Sequence, residues 1–208
     1  MTAVSRCLGP LRPGRGVLLW GESIRFLAAA AAAWGVAQGG QVLAVDAANR
    51  FDPHLMVREG RGRGLAPSDL LARVKVARAF TCHQLARLLQ EELSRHLGAG
   101  CLVLVLGPVS LFYDEQVSLA ERRRLFNNLV QTLARVKTQA PLLALQPYLP
   151  RGAPNRHFGR RLRPIMDYLL EVGNHGKNGF TLQPVMGKRT AALAEVPPGA
   201  APGRAGPF

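Results

Sequence analysis

Five arginines fall within thirteen residues in the segment 151–163: Arg151, Arg156, Arg160, Arg161 and Arg163. No acid interrupts them, and His157 and Phe158 lie among them. Guanidinium groups neutralise phosphates through paired hydrogen bonds, and an aromatic ring stacks on an unpaired base. The combination is the one a single-stranded nucleic acid requires, so these seven residues form the candidate nucleic-acid site. The competing reading is a solvated basic loop whose Phe158 packs back onto the body. Whole-chain charge favours contact: the formal net charge is +14, from 27 basic and 13 acidic residues in 208. Only four of the basic residues are lysines. Arginine encoded at surface positions by a GC-rich genome is the plain alternative.

A second stretch sits where phosphate chemistry would be expected and lacks the residues for it. A loop that cradles a triphosphate reads G-x-x-x-x-G-K-[ST], with backbone N–H groups around the phosphates, a lysine reaching them and a hydroxyl on Mg²⁺. Counted from Gly21, this chain places Phe26 at the second glycine, Leu27 at the lysine and Ala28 at the hydroxyl.

The elements that must position these segments are set by apolar patterning. Val17 to Trp20 and Gln41 to Val45 read as buried strands, Cys101 to Leu106 as a central parallel strand, and Val74 to Arg78 and Pro141 to Leu145 as further strands. Between them lie helical stretches: Arg25 to Ala37 with Ser23 as its cap, a short one from Pro67 to Arg73, Thr81 to about Leu97, and Leu119 to Lys137. Gly60 to Gly64, with Arg61 and Arg63, reads as a mobile loop with a weak Arg-Gly character. Ile165 to Val172 and Phe180 to Val185 suggest two closing strands joined around residues 173–179. Strands alternating with helices imply an α/β fold, a doubly wound, mostly parallel sheet with flanking helices and a C-terminal antiparallel hairpin. One domain over residues 1–196 is expected, with a disordered Pro/Gly-rich tail at 197–208.

Composition narrows the function classes. At 48% hydrophobic residues the chain is globular rather than disordered. Cys7, Cys82 and Cys101 are too few and scattered for a disulfide framework or zinc site, which points to a reducing, cytoplasmic setting, or the nucleus of a eukaryote. The apolar run from Phe26 to Ala33 is too short to span a membrane. Arg6, Arg12 and Arg15, without acids, faintly suggest a transit peptide, but glycine, proline and the lack of an amphipathic face weigh against it.

Several motifs in order resemble the core ATPase domain of the RecA/RadA recombinase family. The lead-in from Leu8 to Val17 is similar to that family's approach to its first strand, and Gly21-Glu22 to the G-E that opens its phosphate loop. The stretch from Val45 to Pro53 is similar to I-D-T-E-x-x-F-x-P. Val76 to Thr81 with His83-Gln84 resembles V-A-R-A-Y/F-x-x-x-H-Q. Leu102 to Leu106 with Phe112 resembles the Walker B strand and its adjoining segment, and Glu121-Arg122, Leu125 and Leu129 the next helix. Leu142 to Gln146 resembles the strand ending in T-N-Q. The likeness covers about Leu8 to Val185.

The departures from the family pattern cluster on catalysis. The resemblance implies a catalytic glutamate where this chain has Ala48, and a Walker B aspartate where it has Leu106. Three losses from three segments imply a member that no longer hydrolyses nucleotide and holds no cofactor or metal. Gly21, Glu22, Asp46 and Gln146 are then the remnant of the nucleotide site. Segment 151–163 falls where the family places its second DNA-binding loop. The core opens almost at residue 1, so the N-terminal DNA-binding domain of many members is expected to be missing. The expectation is a DNA recombination or repair accessory protein that binds single-stranded DNA, a recombinase, or both. A protein-interaction subunit of an active ATPase is the alternative, a divergent ATPase ranks last, and an oligomer is possible. Other residues read as structural: His83 and Gln84 at a helix start, Asp114-Glu115 on the surface, Trp20 and Trp34 in the core, and Arg122 to Arg124 as a charged helix face.

Overall fold

A computed structural model describes residues 11–113, 116–149, 157–175 and 179–184, with only the backbone at 174–175 and 179–184. Strands β1 (Gly16–Gly21), β2 (Gln41–Asp46), β3 (Val74–Arg78), β4 (Cys101–Leu106), β5 (Leu142–Pro147), β6 (Tyr168–His175) and β7 (Gly179–Pro184) form one sheet in the order β3-β2-β4-β5-β1-β6-β7. The first six are parallel. Backbone pairing of β7 with β6 is antiparallel. Residues 176–178 between them and the tail from 185 onward lie outside the described residues, so the expected hairpin turn and disordered tail do as well. The α/β class and parallel, doubly wound arrangement are those expected, and they are consistent with a RecA-like core.

The central strands β1, β4 and β5 are buried on both faces, which is why they read as unbroken apolar runs rather than as alternating patterns. Helices α1 (Ile24–Ala37), α2 (Pro53–Arg61) and α3 (Pro67–Arg73) belong to the core on one face. The run Ala28 to Ala33, all buried, lets α1 lie close on the strands. On the other face lie α4 (Cys82–Arg87), a turn of π-helix (Leu88–Glu92), α5 (Leu93–His96) and α6 (Leu119–Gln139), with Leu85, Leu89, Leu93, Leu125, Leu129 and Leu133 inward. The Thr81 hydroxyl accepts from Gln84 N at the helix start the sequence places there, and Ser118 caps α6 by accepting from Glu121 N.

Three expectations need correction. Gly60 and Arg61 are not loop but the last turn of α2, a helix started by Asp52 and Pro53; the Asp52 carboxylate accepts from His54 N and Leu55 N. Gly60 is buried because Leu70 of α3 presses on it: a Cβ there would lie 2.2 Å from Leu70 Cδ1. Ser23 precedes α1 but does not cap it; its backbone is left-handed (φ 60°) and its side chain bonds no helix N–H. Strand β6 starts at Tyr168 rather than at Ile165, since Pro164 sits in a 3-10 turn (Arg163–Ile165). Its entry is fastened by Asp167, which accepts from Gly16 N (2.8 Å) and pairs with Arg15 (3.1 Å) and Lys137 (3.3 Å).

Candidate nucleic-acid interface and the β1–α1 turn

Where β1 meets α1, a phosphate loop would need room to wrap an anion. Only Glu22 and Ser23 separate the strand from the helix here. Gly21 is forced by a close approach: with φ at +130°, an added Cβ would sit 2.2 Å from the Val172 carbonyl oxygen of β6. Glu22 N donates to that same carbonyl (3.1 Å), so the turn is tied to β6 rather than left open as a cradle. Leu27 and Ala28 point into the core, 2% and 0% exposed. They are structural members of α1.

The neighbouring strand ends are organised for packing as well. Asp46, fully buried at the end of β2, accepts from Ala48 N (3.2 Å), Arg50 N (3.0 Å) and Phe51 N (2.9 Å). Arg78 Nε stands 3.7 Å from it. The carboxylate therefore holds the 47–51 turn, the structural alternative to a relic of catalysis. Gln146 is buried at the end of β5; its Oε1 accepts from Val109 N (3.0 Å) and its Nε2 donates to Ser110 Oγ and the Pro147 carbonyl. Leu106 is buried, and Gly107 beyond it (φ 66°) approaches Ala48 so closely that a Cβ would fall 2.7 Å from the Ala48 Cβ. The two strand ends that resemble acid-bearing positions thus close on each other through small and apolar groups.

What remains between β1, β5 and the 47–51 turn is an open hollow of about 310 Å³ lined by Gly21 to Arg25, Arg50, Pro147 and Tyr148. Of the four remnant residues, Gly21 and exposed Glu22 line it, while Asp46 and Gln146 are buried and committed to partners within the fold. Tyr148, which sequence reasoning missed, is 41% exposed and donates its hydroxyl to Glu171 (2.7 Å). Partial burial and the Glu171 carboxylate push its phenol above the ordinary tyrosine range, so it stays protonated. Its place two residues beyond Gln146 was the available signal. Arg25 donates to Asp52 (Nε to Oδ2, 2.9 Å), and that bond, with the backbone bonds, holds the Asp52 carboxyl below its usual range.

Arg151 and Arg156 lie outside the described residues, as do Asp114 and Glu115. From 157 onward the candidate segment is built on an apolar spine. Phe158, Leu162 and Met166, four apart, are buried. Phe158 meets Phe126 at 5.0 Å, Phe112 at 5.7 Å and Tyr113 at 6.1 Å between ring centres. This corrects the expectation of Phe158 as a stacking platform: at 4% exposure its ring is an anchor, because the pocket between the 3-10 turn Ser110–Tyr113 and α6 captures it. His157, Arg160, Arg161 and Arg163 are exposed.

The anchor sets those side chains beside α6. Arg161 Nη1 donates to Asn127 Oδ1. Along the exposed side of α6, Arg123, Asn127, Gln131 and Arg135 recur every four residues without an acid. Arg122, by contrast, is buried and donates to the Phe112 carbonyl (3.1 Å), supporting the floor beneath Phe158. Position 122 lies on the stripe of Leu125, Phe126 and Leu129, a pattern visible in the sequence. The segment and helix face together form an arginine-rich surface, and the nearest acid after it, Asp167, is engaged by Arg15 and Lys137. Among the described residues no cluster of three or more His, Cys, Asp or Glu could hold a metal, and no helix is long and apolar enough to cross a membrane. No protein-family model matches the chain.

Proposed function

We propose that this chain is a non-hydrolysing RecA-like accessory protein of DNA recombination or repair that binds single-stranded DNA, a recombinase partner, or both. The observation that carries the reading is the pinned segment: Phe158, Leu162 and Met166 are held in the core and present Arg160, Arg161 and Arg163 outward, with no acidic residue in 157–166. Pre-ordered guanidinium groups bind phosphates at lower entropic cost than a free loop. With Phe158 committed to the core, His157 and Tyr148 are the rings left to meet bases. The absence of catalysis is supported by the two-residue β1–α1 turn and by Leu27, Ala28, Ala48 and Leu106 at positions where the resembled family carries its reactive groups. Fluorescence anisotropy with labelled oligothymidylate, alongside an Mg·ATP hydrolysis assay, tests both halves. Saturable, salt-sensitive binding without hydrolysis agrees with the proposal; turnover contradicts it, and no binding contradicts its nucleic-acid half.

A second reading, a subunit that pairs with an active ATPase, is favoured by one feature. Strand β3 ends the sheet, and around it Leu71 (62%), Val76 (42%) and Phe80 (65%) are exposed apolar groups. Co-purification of an ATPase that is lost in Phe80→Asp, with no affinity for DNA, would select this reading over the first.

A further inference from the structure

The basic surface does not stop at the segment after β5. Helix α2 carries His54, Arg58 and Arg61 at spacings of four and three, all exposed and on one face. None of the three forms an ion pair among the described residues. The acids nearby are off this face or occupied: Asp52 caps the helix and holds Arg25, and Glu59 projects about 100° away from Arg58. The stripe runs about 10 Å along the helix.

The start of α2 is fastened beside the hollow. Arg25, at the head of α1, bonds Asp52, and Arg50, two residues before that cap, lines the hollow together with Tyr148. Tyr148 in turn opens the connection that leads to the arginine segment. The chain therefore places a line of cationic groups along the C-terminal edge of the sheet, interrupted at the hollow by two acids, Glu22 in its lining and Glu171, which holds the Tyr148 hydroxyl. The line runs from α2 through Arg50 and Arg25, past the Tyr148 ring, toward Arg160, Arg161 and Arg163 on the opposite face. Its centre is the crevice at the carboxyl ends of the strands, where open α/β sheets bind ligands.

We infer that a bound single strand extends beyond the arginine segment, crosses this edge with a base against Tyr148, and lays further phosphates on Arg50, Arg58 and Arg61. This rests on the nucleic-acid reading above and adds a second limb to it. Each phosphate contact contributes about 0.7 to the dependence of log K on log salt for a single strand, so removing two should flatten the slope by about 1.4.

The probe is labelled oligothymidylate of about 30 nucleotides, longer than the roughly 4–16 nucleotides a single-strand module covers. It is titrated against wild type, R58A/R61A, R58K/R61K and R87A/R95A over a salt series. The last pair carries the same charge change on α4 and α5, where Arg87 and Arg95 already have acid partners. The expected result is a 5- to 10-fold rise in Kd and the flatter slope for R58A/R61A, recovery in R58K/R61K, little change in R87A/R95A, and an unaltered unfolding midpoint throughout. Wild-type binding with R58A/R61A unchanged would overturn the second limb and leave the first reading standing. Equal losses in R87A/R95A would also overturn it, showing only diffuse charge. No binding by wild type would overturn the underlying reading itself.

Discussion

Replacing Phe158 by alanine separates an anchoring ring from a stacking one. The ring is 4% exposed and sits against three other aromatic rings at 5.0–6.1 Å. Truncating such a residue removes its burial and leaves a cavity that Phe112 and Phe126 fill only in part, a cost of about 3–5 kcal/mol. For a chain of this length each kcal/mol corresponds to roughly 2–4 °C, so the unfolding midpoint should fall by about 6–20 °C. Nucleic-acid affinity should weaken too, since the arginines lose their fixed backbone. Thermal unfolding followed by circular dichroism reads the first effect and anisotropy the second, and Phe158→Leu should recover most of both. A ring used for base stacking behaves oppositely: affinity drops by about 1–3 kcal/mol while stability stays put. A midpoint shifted by less than about 2 °C in Phe158→Ala would therefore refute the anchoring argument.

Asp46→Ala leaves the buried Phe51 N–H and the partly buried Ala48 and Arg50 N–H groups without their acceptor, and with about 1–3 kcal/mol for the buried unpaired group the loss should reach at least about 1 kcal/mol in urea unfolding. Asp46→Asn, which keeps an accepting oxygen, should be milder. Leu27→Lys, which nominally restores a phosphate-loop lysine, should destabilise the fold by burying an ammonium and create no Mg·ATP binding in calorimetry, because the two-residue turn offers no cradle. Acid should weaken the protein through Asp167. Burial pushes its carboxyl up, but the Gly16 N–H, Lys137 and Arg15 outweigh this and hold it below its ordinary value. That contribution is complete above about pH 5 and is lost as pH falls through the folded pKa, below the unfolded value of about 3.9. Asp167→Asn should lower stability at pH 7 and flatten the acid limb of a stability–pH curve; an unchanged limb would show that Asp167 does not contribute.

Much of the fold could be read from the chain because its central strands are buried on both sides. Val17 to Trp20, Cys101 to Leu106 and the segment ending at Gln146 have no polar face to confuse with anything else. Helix α2 was hidden by Gly60 to Gly64, since glycine reads as loop until Leu70 is known to press on position 60. The local cap, Asp52-Pro53, was the better guide. The arginine segment was legible by charge, but the direction of Phe158 was not, for its pocket is made by rings 32 and 46 residues away in the chain. Tyr148, Arg50 and the α2 stripe also needed the third dimension. They belong to separate loops and helices that meet only at the carboxyl edge of the sheet.

The nucleic-acid reading of this chain turns on whether residues 157–166 present arginines to nucleic-acid phosphates. The sharpest measurement is the salt dependence of oligothymidylate binding for wild type and for R160A/R161A/R163A. For the wild type, log K should fall linearly with log salt. The triple variant should bind more weakly, with a slope shallower by about 2, as three phosphate contacts are lost. Binding that is absent, independent of salt, or identical in the two proteins would contradict the proposal.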